Sequence, residues 1–415
     1  MKLGRRLAIL LAVVLAVALA LSGARATPTA KAAHMKANAS TVVIWVDSYR
    51  KNAVTKVTNS WAASRGVTVS IVVKQFGNIQ TDLKTVSADN APDVIVGAHD
   101  WTGAMAADGS VVPLFLRKTV KAQFPAYSLG AMSYAGKLYG VPSQLENVGL
   151  VVNTQLAKVP TTFAQLEREA LAFKRKASGN IAIAVPQGAN GDPYHMYSFF
   201  SGLCGYVFGK SANGSLNPHK LGIANPKFLK NSTLIDKWNS EGLIDSKIGY
   251  NEAKNAFTNK KAAFWVTGPW ETSTLEQSGI SFKIVQVPAI KCRAVPFLGV
   301  QGFFVTKFAA THGVASLAKD LVGNYMTKRG AQYNLAIDNS RYPANKLAGK
   351  LVHDRILAQF GKAGTGGVPM PNIPQMNSVW TDLGGAWVNS TKGAGATKAR
   401  VAFSTAARSI ASRIG

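Results

Sequence analysis

The sequence predicts an α/β protein built as two lobes, and three observations predict it. From residue 41 onward, short apolar runs alternate with stretches of helical period, the pattern of parallel strand–helix–strand units. The same style resumes in the middle of the chain, with no internal repeat and no solenoid period. The chain has 415 residues, and at roughly 100–200 residues per domain that length holds two or three domains with ample core.

The first run, Thr41-Val42-Val43-Ile44-Trp45-Val46, is continuously apolar, as in a strand covered on both faces. A helix is expected over 52–63, a strand over 67–73, a helix over 79–88 and a strand over 92–97. In parallel sheets ligands sit beyond the carboxyl ends of the strands. The residues there are Asp47-Ser48-Tyr49-Arg50 and Ala98-His99-Asp100-Trp101, both polar and aromatic. Further on, strands are expected over 150–152, 181–185, 262–266 and 282–287, with helices over 163–174 and 401–413. Trp45, Trp61 and Trp265 lie in apolar or helical context and are expected in the core.

The first 26 residues have the layout of a secretory signal: Lys2, Arg5 and Arg6, then an apolar run from Leu7 to Leu21, then Ala24-Arg25-Ala26 as a cleavage site. The run is shorter than the ~20 residues of a membrane-spanning helix. Ala24 follows Leu21-Ser22-Gly23 where a lipoprotein signal needs Cys, so no lipid anchor is expected. Residues 27–40, rich in Ala, Lys and Thr, read as a flexible leader. Localisation is therefore expected to be secreted, at the cell surface or periplasmic.

The formal net charge is +27, yet the basic residues are scattered, with no run of five or six. Nucleic acid is not expected as a partner. More informative is the shortage of acids, only 20 Asp plus Glu. Few carboxylates then have to be protonated when the fold is exposed to acid. An acidic habitat, or adhesion to anionic wall polymers, is the expectation. Cys204 and Cys292 can oxidise in an exported chain, and their spacing leaves the pairing open.

No zinc-type His/Cys spacing, H-E-x-x-H or G-x-S-x-G is present, and neither metal nor cofactor is expected. Residues 204–211 end in Gly209-Lys210-Ser211 but begin with Cys where a phosphate-binding loop needs Gly.

Six segments, 42–50, 92–101, 139–153, 192–208, 264–270 and 370–380, resemble in that order the maltose- and maltodextrin-binding proteins of bacterial ABC importers, extracellular solute-binding proteins of family 1. The most specific pieces are Ala98-His99-Asp100, Gly268-Pro269-Trp270 and Met370-Pro371-Asn372-Ile373-Pro374-Gln375-Met376. The resemblance implies a two-lobed fold of the periplasmic-binding-protein type, with discontinuous lobes joined by hinge strands. One lobe would be 41–145 plus 298–345, the other 148–296 plus 350–415. It also implies a monomer that binds an oligosaccharide (maltose, maltodextrin or trehalose) and delivers it to membrane permease subunits, without catalysis.

Carried over residue by residue, Asp100, Glu146 and Asp192 fall on carboxylate positions of the family cleft. Tyr194 falls on a cleft tyrosine, and Trp270 and Trp380 on tryptophans that stack on sugar rings. Arg50 falls where the enteric maltose protein has a lysine, and Tyr49 where it has an aspartate. Gly97 stands at a stacking-tryptophan position and Trp101 at an arginine position, so Trp101 is expected to take over part of that surface. Thr381 and Gly384 replace a tyrosine and an arginine, which puts the subsites for longer chains in doubt.

These residue types suit a sugar. An aromatic ring covers the apolar C–H face of a pyranose without demanding donors. At about 25 cal/mol per Å², covering roughly 80 Å² contributes about 2 kcal/mol. Carboxylates accept hydroxyl hydrogens with charge-assisted strength. A glycoside hydrolase using two of the same carboxylates is the alternative function, and a wall-polymer binder a third that rests on charge alone.

Overall fold

The computed structural model describes residues 41–415. The expected signal 1–26 and leader 27–40 lie outside the described residues. Among the described residues, fourteen strands follow in order: β1 (Thr41–Val46), β2 (Thr68–Val73), β3 (Val94–Ala98), β4 (Ser133–Tyr134), β5 (Lys137–Leu138), β6 (Gly140–Asn147), β7 (Gly149–Asn153), β8 (Phe208–Lys210), β9 (Leu216–Leu221), β10 (Phe264–Thr267), β11 (Phe282–Val285), β12 (Phe297–Val305), β13 (Tyr342–Pro343) and β14 (Val368–Pro369).

The apolar run of β1 pairs in parallel with β2 and with β3, as its two-sided burial requires. The intervening helix Lys51–Arg65 buries Val54, Val57 and Trp61 and ends at Gly66, whose left-handed backbone (φ 64°) returns an N–H to Ala62. The large sheet has seven strands in the order β13-β6-β12-β3-β1-β2, with β14 added to β12. There β12 runs antiparallel to both β3 and β6.

The second sheet, β10-β7-β11, is antiparallel throughout. Here the parallel style expected of the middle of the chain does not recur. The run 181–185 is not a strand either. It makes only isolated bridges, Ile181 to Ala262 just ahead of β10 and Ala184 to Trp265 within it, and Val185 turns its N–H back to Ile183. The helix expected over 79–88 stops at Thr85, where Val86 becomes extended.

Each sheet has its own core. One holds Val42, Trp61, Val94, Met132, Val141, Phe304 and Leu335. The other holds Leu150, Phe199, Trp238, Phe264, Trp387 and Phe403. The lobes are discontinuous in sequence: the chain passes between them at the β6–β7 junction and again within β12, where Phe297 packs in one core and Val300 in the other. Trp45 and Trp265 are buried as expected.

Cys204 and Cys292 form a disulfide. It ties the end of the helix Pro193–Gly202 to the loop that leads into β12, and the backbone of Lys291 and Cys292 also bonds to Gly202. The near-phosphate loop 204–211 is thus spent on a cross-link and on β8. Among the described residues, no helix is long and apolar enough to cross a membrane.

One tie in the first lobe responds to pH. Both ring nitrogens of His312 face acceptors, Asp93 Oδ1 at 2.7 Å and the Ala88 carbonyl at 2.7 Å. Only the imidazolium donates to both. Burial works to lower the His312 pKa, and the Ala88 carbonyl and the Asp93 carboxylate outweigh it, so the pKa is raised. A raised folded-state value adds stability below the unfolded pKa, and that stability is lost as pH rises through the folded one. His312→Gln is therefore expected to destabilise by about 1–2 kcal/mol at acid pH and by less in alkali. Urea unfolding at pH 5.5 and 8.5 checks this; an equal loss at both would count against the imidazolium.

Candidate functional site

A cleft of about 890 Å³ lies between the lobes. Its first wall is built where β1 and β3 end, as the parallel topology dictates. After β1 comes Asp47-Ser48-Tyr49-Arg50. After β3, a single tight turn carries His99, Asp100 and Trp101. The opposite wall comes from the N-terminus of the helix Pro193–Gly202 and the turn Pro269–Glu271 after β10. The start of the helix Trp380–Thr391 completes it. The strands that cross between lobes form the floor, with Glu146 from β6 and Gln301 from β12.

All nine residues expected from the sequence line this cleft: Tyr49, Arg50, Asp100, Trp101, Glu146, Asp192, Tyr194, Trp270 and Trp380. Their situations differ. Tyr49 is 63% exposed at the rim. Trp270 and Trp380 are half-buried and pack against the second core. The Trp270 ring lies 6.2 Å from Tyr194 and 5.6 Å from His195, with the Arg341 guanidinium 5.8 Å above it.

Two tryptophans lie flat on glycines. A Cβ at Gly97 would come within 2.3 Å of the Trp101 ring, and one at Gly268 within 2.3 Å of the Trp270 ring. Only glycine permits either placement. Trp101 also packs on Phe76 at 5.0 Å, so Trp101 occupies the face that Gly97 leaves bare.

Three expected ligand groups, Arg50, Asp192 and Glu146, are committed within the protein. Arg50 donates to Asp47 Oδ2 at 2.6 Å, and its guanidinium also sits over Phe76 at 5.1 Å. Asp192 caps its helix by accepting from the His195 N–H at 3.0 Å and from His195 Nδ1 at 2.6 Å. A carboxylate placed before a helix finds its nearest donors in that helix.

Glu146 is the centre of the floor. Its Oε2 accepts from Arg341 Nε at 3.1 Å and lies 3.8 Å from Arg50; its Oε1 accepts from Gln301 Nε2 at 2.9 Å. Burial would lift its pKa, but the two guanidiniums and the amide hold it below the usual carboxylate range. Asp100 is the opposite case. Burial outweighs its donors, including Trp380 Nε1 at 3.2 Å, and pushes it up to about 7. His99 is structural: Nε2 meets the Met370 carbonyl at 3.0 Å and Nδ1 accepts from the Val300 N–H at 3.1 Å, tying the 370–376 motif to β12. Burial lowers its pKa to about 4, so it stays neutral.

Phe76, Gln80, His195, Tyr250, Gln301 and Arg341 also line the cleft. Asp47 belongs to the cluster already visible after β1, and His195 stands one helical turn from Asp192. The others carry no local signal, being brought in from distant elements. Tyr250 is held by a hydrogen bond to Glu271, which Lys254 also contacts at 3.0 Å.

Five buried polar atoms of cleft residues have no partner: Asp100 Oδ1, Gln80 Nε2, Tyr194 OH, His195 Nε2 and Gln301 Oε1. Buried polar groups are normally satisfied. Their concentration in one aromatic-walled cleft suits a polyhydroxylated solute.

A cleft between two α/β lobes, walled by both and floored by the strands that join them, defines a solute-binding protein. The chain belongs to the bacterial extracellular solute-binding protein family, whose model matches residues 53–353. It is 27% identical over 364 residues to a galactooligosaccharide-binding protein of Bacillus subtilis, covering 85% of each chain. It is 26% identical to a maltodextrin-binding protein of the same organism, over 82% of each. A maltooligosaccharide ABC transporter solute-binding lipoprotein of Streptococcus pneumoniae is 24% identical, over 82% of this chain and 81% of the relative.

Proposed function

We propose that this protein is the extracellular receptor of an ABC importer and binds a neutral oligosaccharide, of the maltose, maltodextrin or galacto-oligosaccharide class, in the interlobe cleft. The observation that carries this is the five unpartnered polar atoms set among Trp101, Trp270 and Trp380. The lobes are 41–145 plus 298–345 and 148–296 plus 350–415, and they close on the sugar as a monomer. Closure is a population shift, driven only by the difference in affinity between the two states. Permease subunits read the closed form. The relatives named for binding galactooligosaccharide, maltodextrin and maltooligosaccharide support the class, and the resemblance of 370–376 supports maltose-type sugars within it.

A micromolar site needs about 8 kcal/mol. Stacks of about 2 kcal/mol each and a handful of hydrogen bonds reach that after ordering costs. Hydrolysis is disfavoured. Glu146 is ion-paired and Asp192 caps a helix.

Titration calorimetry against maltose, maltotriose, trehalose and galactobiose tests the reading. Micromolar binding of at least one sugar, little changed between 50 and 500 mM salt, is expected, since a neutral ligand releases no counterions. No binding by any of the four, or cleavage of maltotriose, would sink it.

A further inference from the structure

The floor of the cleft carries a second, more specific message. Gln301 lies on β12, where that strand crosses between the lobes, and it is 3% exposed. The register of β12 against β6 shifts between Gln301 and Gly302, an irregularity that breaks the ladder at this residue. Bulges beside binding sites commonly re-aim one side chain. Here Gly302 accepts the distortion, since a Cβ there would come within 2.6 Å of the Val141 carbonyl.

The amide of Gln301 cannot turn freely. Its partner Glu146 is ionised and can only accept, so the NH2 end must face Glu146 Oε1 at 2.9 Å. Glu146 in turn is held by Arg341 and Arg50. The chain of donors therefore runs from Arg341 to Glu146, and from the Gln301 NH2 to Glu146, leaving Gln301 Oε1 as a fixed acceptor. That oxygen is buried and unpartnered, in a residue that lines the cleft. Leaving such an acceptor unmet carries a desolvation penalty that a ligand hydroxyl would relieve.

We propose that Gln301 is a specificity-determining ligand contact, whose Oε1 accepts a hydrogen bond from one sugar hydroxyl at the hinge strand. The inference rests on the sugar-receptor reading above. It selects ligands that present a hydroxyl donor at that position and rejects those with hydrogen or an ether oxygen there. Arg341 and Glu146 are positioning residues that set the amide's orientation.

The test uses the full mature chain with maltose and galactobiose, each alongside its mono-deoxy derivatives. Gln301→Met keeps the volume and removes the acceptor, and Gln301→Ala removes it without crowding. Each variant is expected to bind the parent sugar about tenfold more weakly. One deoxy sugar should bind wild type about tenfold worse than its parent, yet bind the variants as well as the parent does. A purely structural role would weaken parent and all deoxy sugars alike, and that outcome overturns the proposal. So do variants that bind within twofold of wild type. Should neither variant fold, a crystal structure of wild type with the binding sugar decides. A hydroxyl within hydrogen-bond distance of Gln301 Oε1 is expected; its absence overturns the contact. Wild type that binds none of the four screened sugars defeats the receptor reading itself. Normal wild-type binding with an indifferent Gln301 defeats this inference alone.

Discussion

Replacing Glu146 with alanine is expected to lower the unfolding free energy by about 3–5 kcal/mol. The reason is what remains behind. Arg341 is 6% exposed and Arg50 5% exposed, and neither can shed its proton. Arg50 keeps Asp47 at 2.6 Å, but Arg341 keeps only the Asn339 carbonyl at 2.7 Å. An uncompensated guanidinium in the floor of the cleft draws in water or forces the hinge strands apart. Urea unfolding at neutral pH measures the loss; a change below about 1 kcal/mol would mean the network is solvated like a surface pair. Its pH dependence has a defined sign. The Glu146 pKa is depressed in the folded state, so its contribution is present above the unfolded value and fades as pH falls through the folded one. The wild type and the variant should therefore converge in stability as the pH falls through the depressed folded-state value.

Replacing Trp270 with alanine is expected to weaken sugar binding by about 2–3 kcal/mol, or roughly 30- to 150-fold, while the protein stays folded. The ring is half-buried, lies flat on Gly268, and is framed by Tyr194, His195 and the Arg341 guanidinium. Removing it deletes the flat apolar surface that a pyranose face needs, and also bares Arg341. Calorimetry against the best sugar of the screen, with a melting curve beside it, separates lost binding from lost fold. Affinity within threefold of wild type in a folded variant would remove Trp270 from the site.

Much of this was legible in the chain. The run 41–46 is apolar on both faces, as a strand covered on both sides requires, so β1 and the clusters after β1 and β3 followed. Asp100 and Trp101 could be named because a strand end marked them, and Trp270 and Trp380 because the resemblance to the family did. The run 181–185 misled, because a short apolar stretch looks the same whether it pairs along its length or only touches a neighbour at two points. The antiparallel second sheet was equally hidden, since strand direction depends on where the chain returns and not on the residues themselves.

By itself, then, the sequence determined the alternation of strands and helices, the two lobes, and which side chains stand at the strand ends. Those properties depend on local period and on neighbours a few residues away. Only the tertiary structure decided that Arg50 and Asp192 spend their hydrogen bonds inside the protein, that Cys204 meets Cys292, and that Gln301, Tyr250 and Arg341 enter the cleft. Each of these depends on the geometry of partners far apart in the chain. A hydrogen bond or an ion pair is set by distances of a few ångströms, and those exist only once the lobes have been brought together.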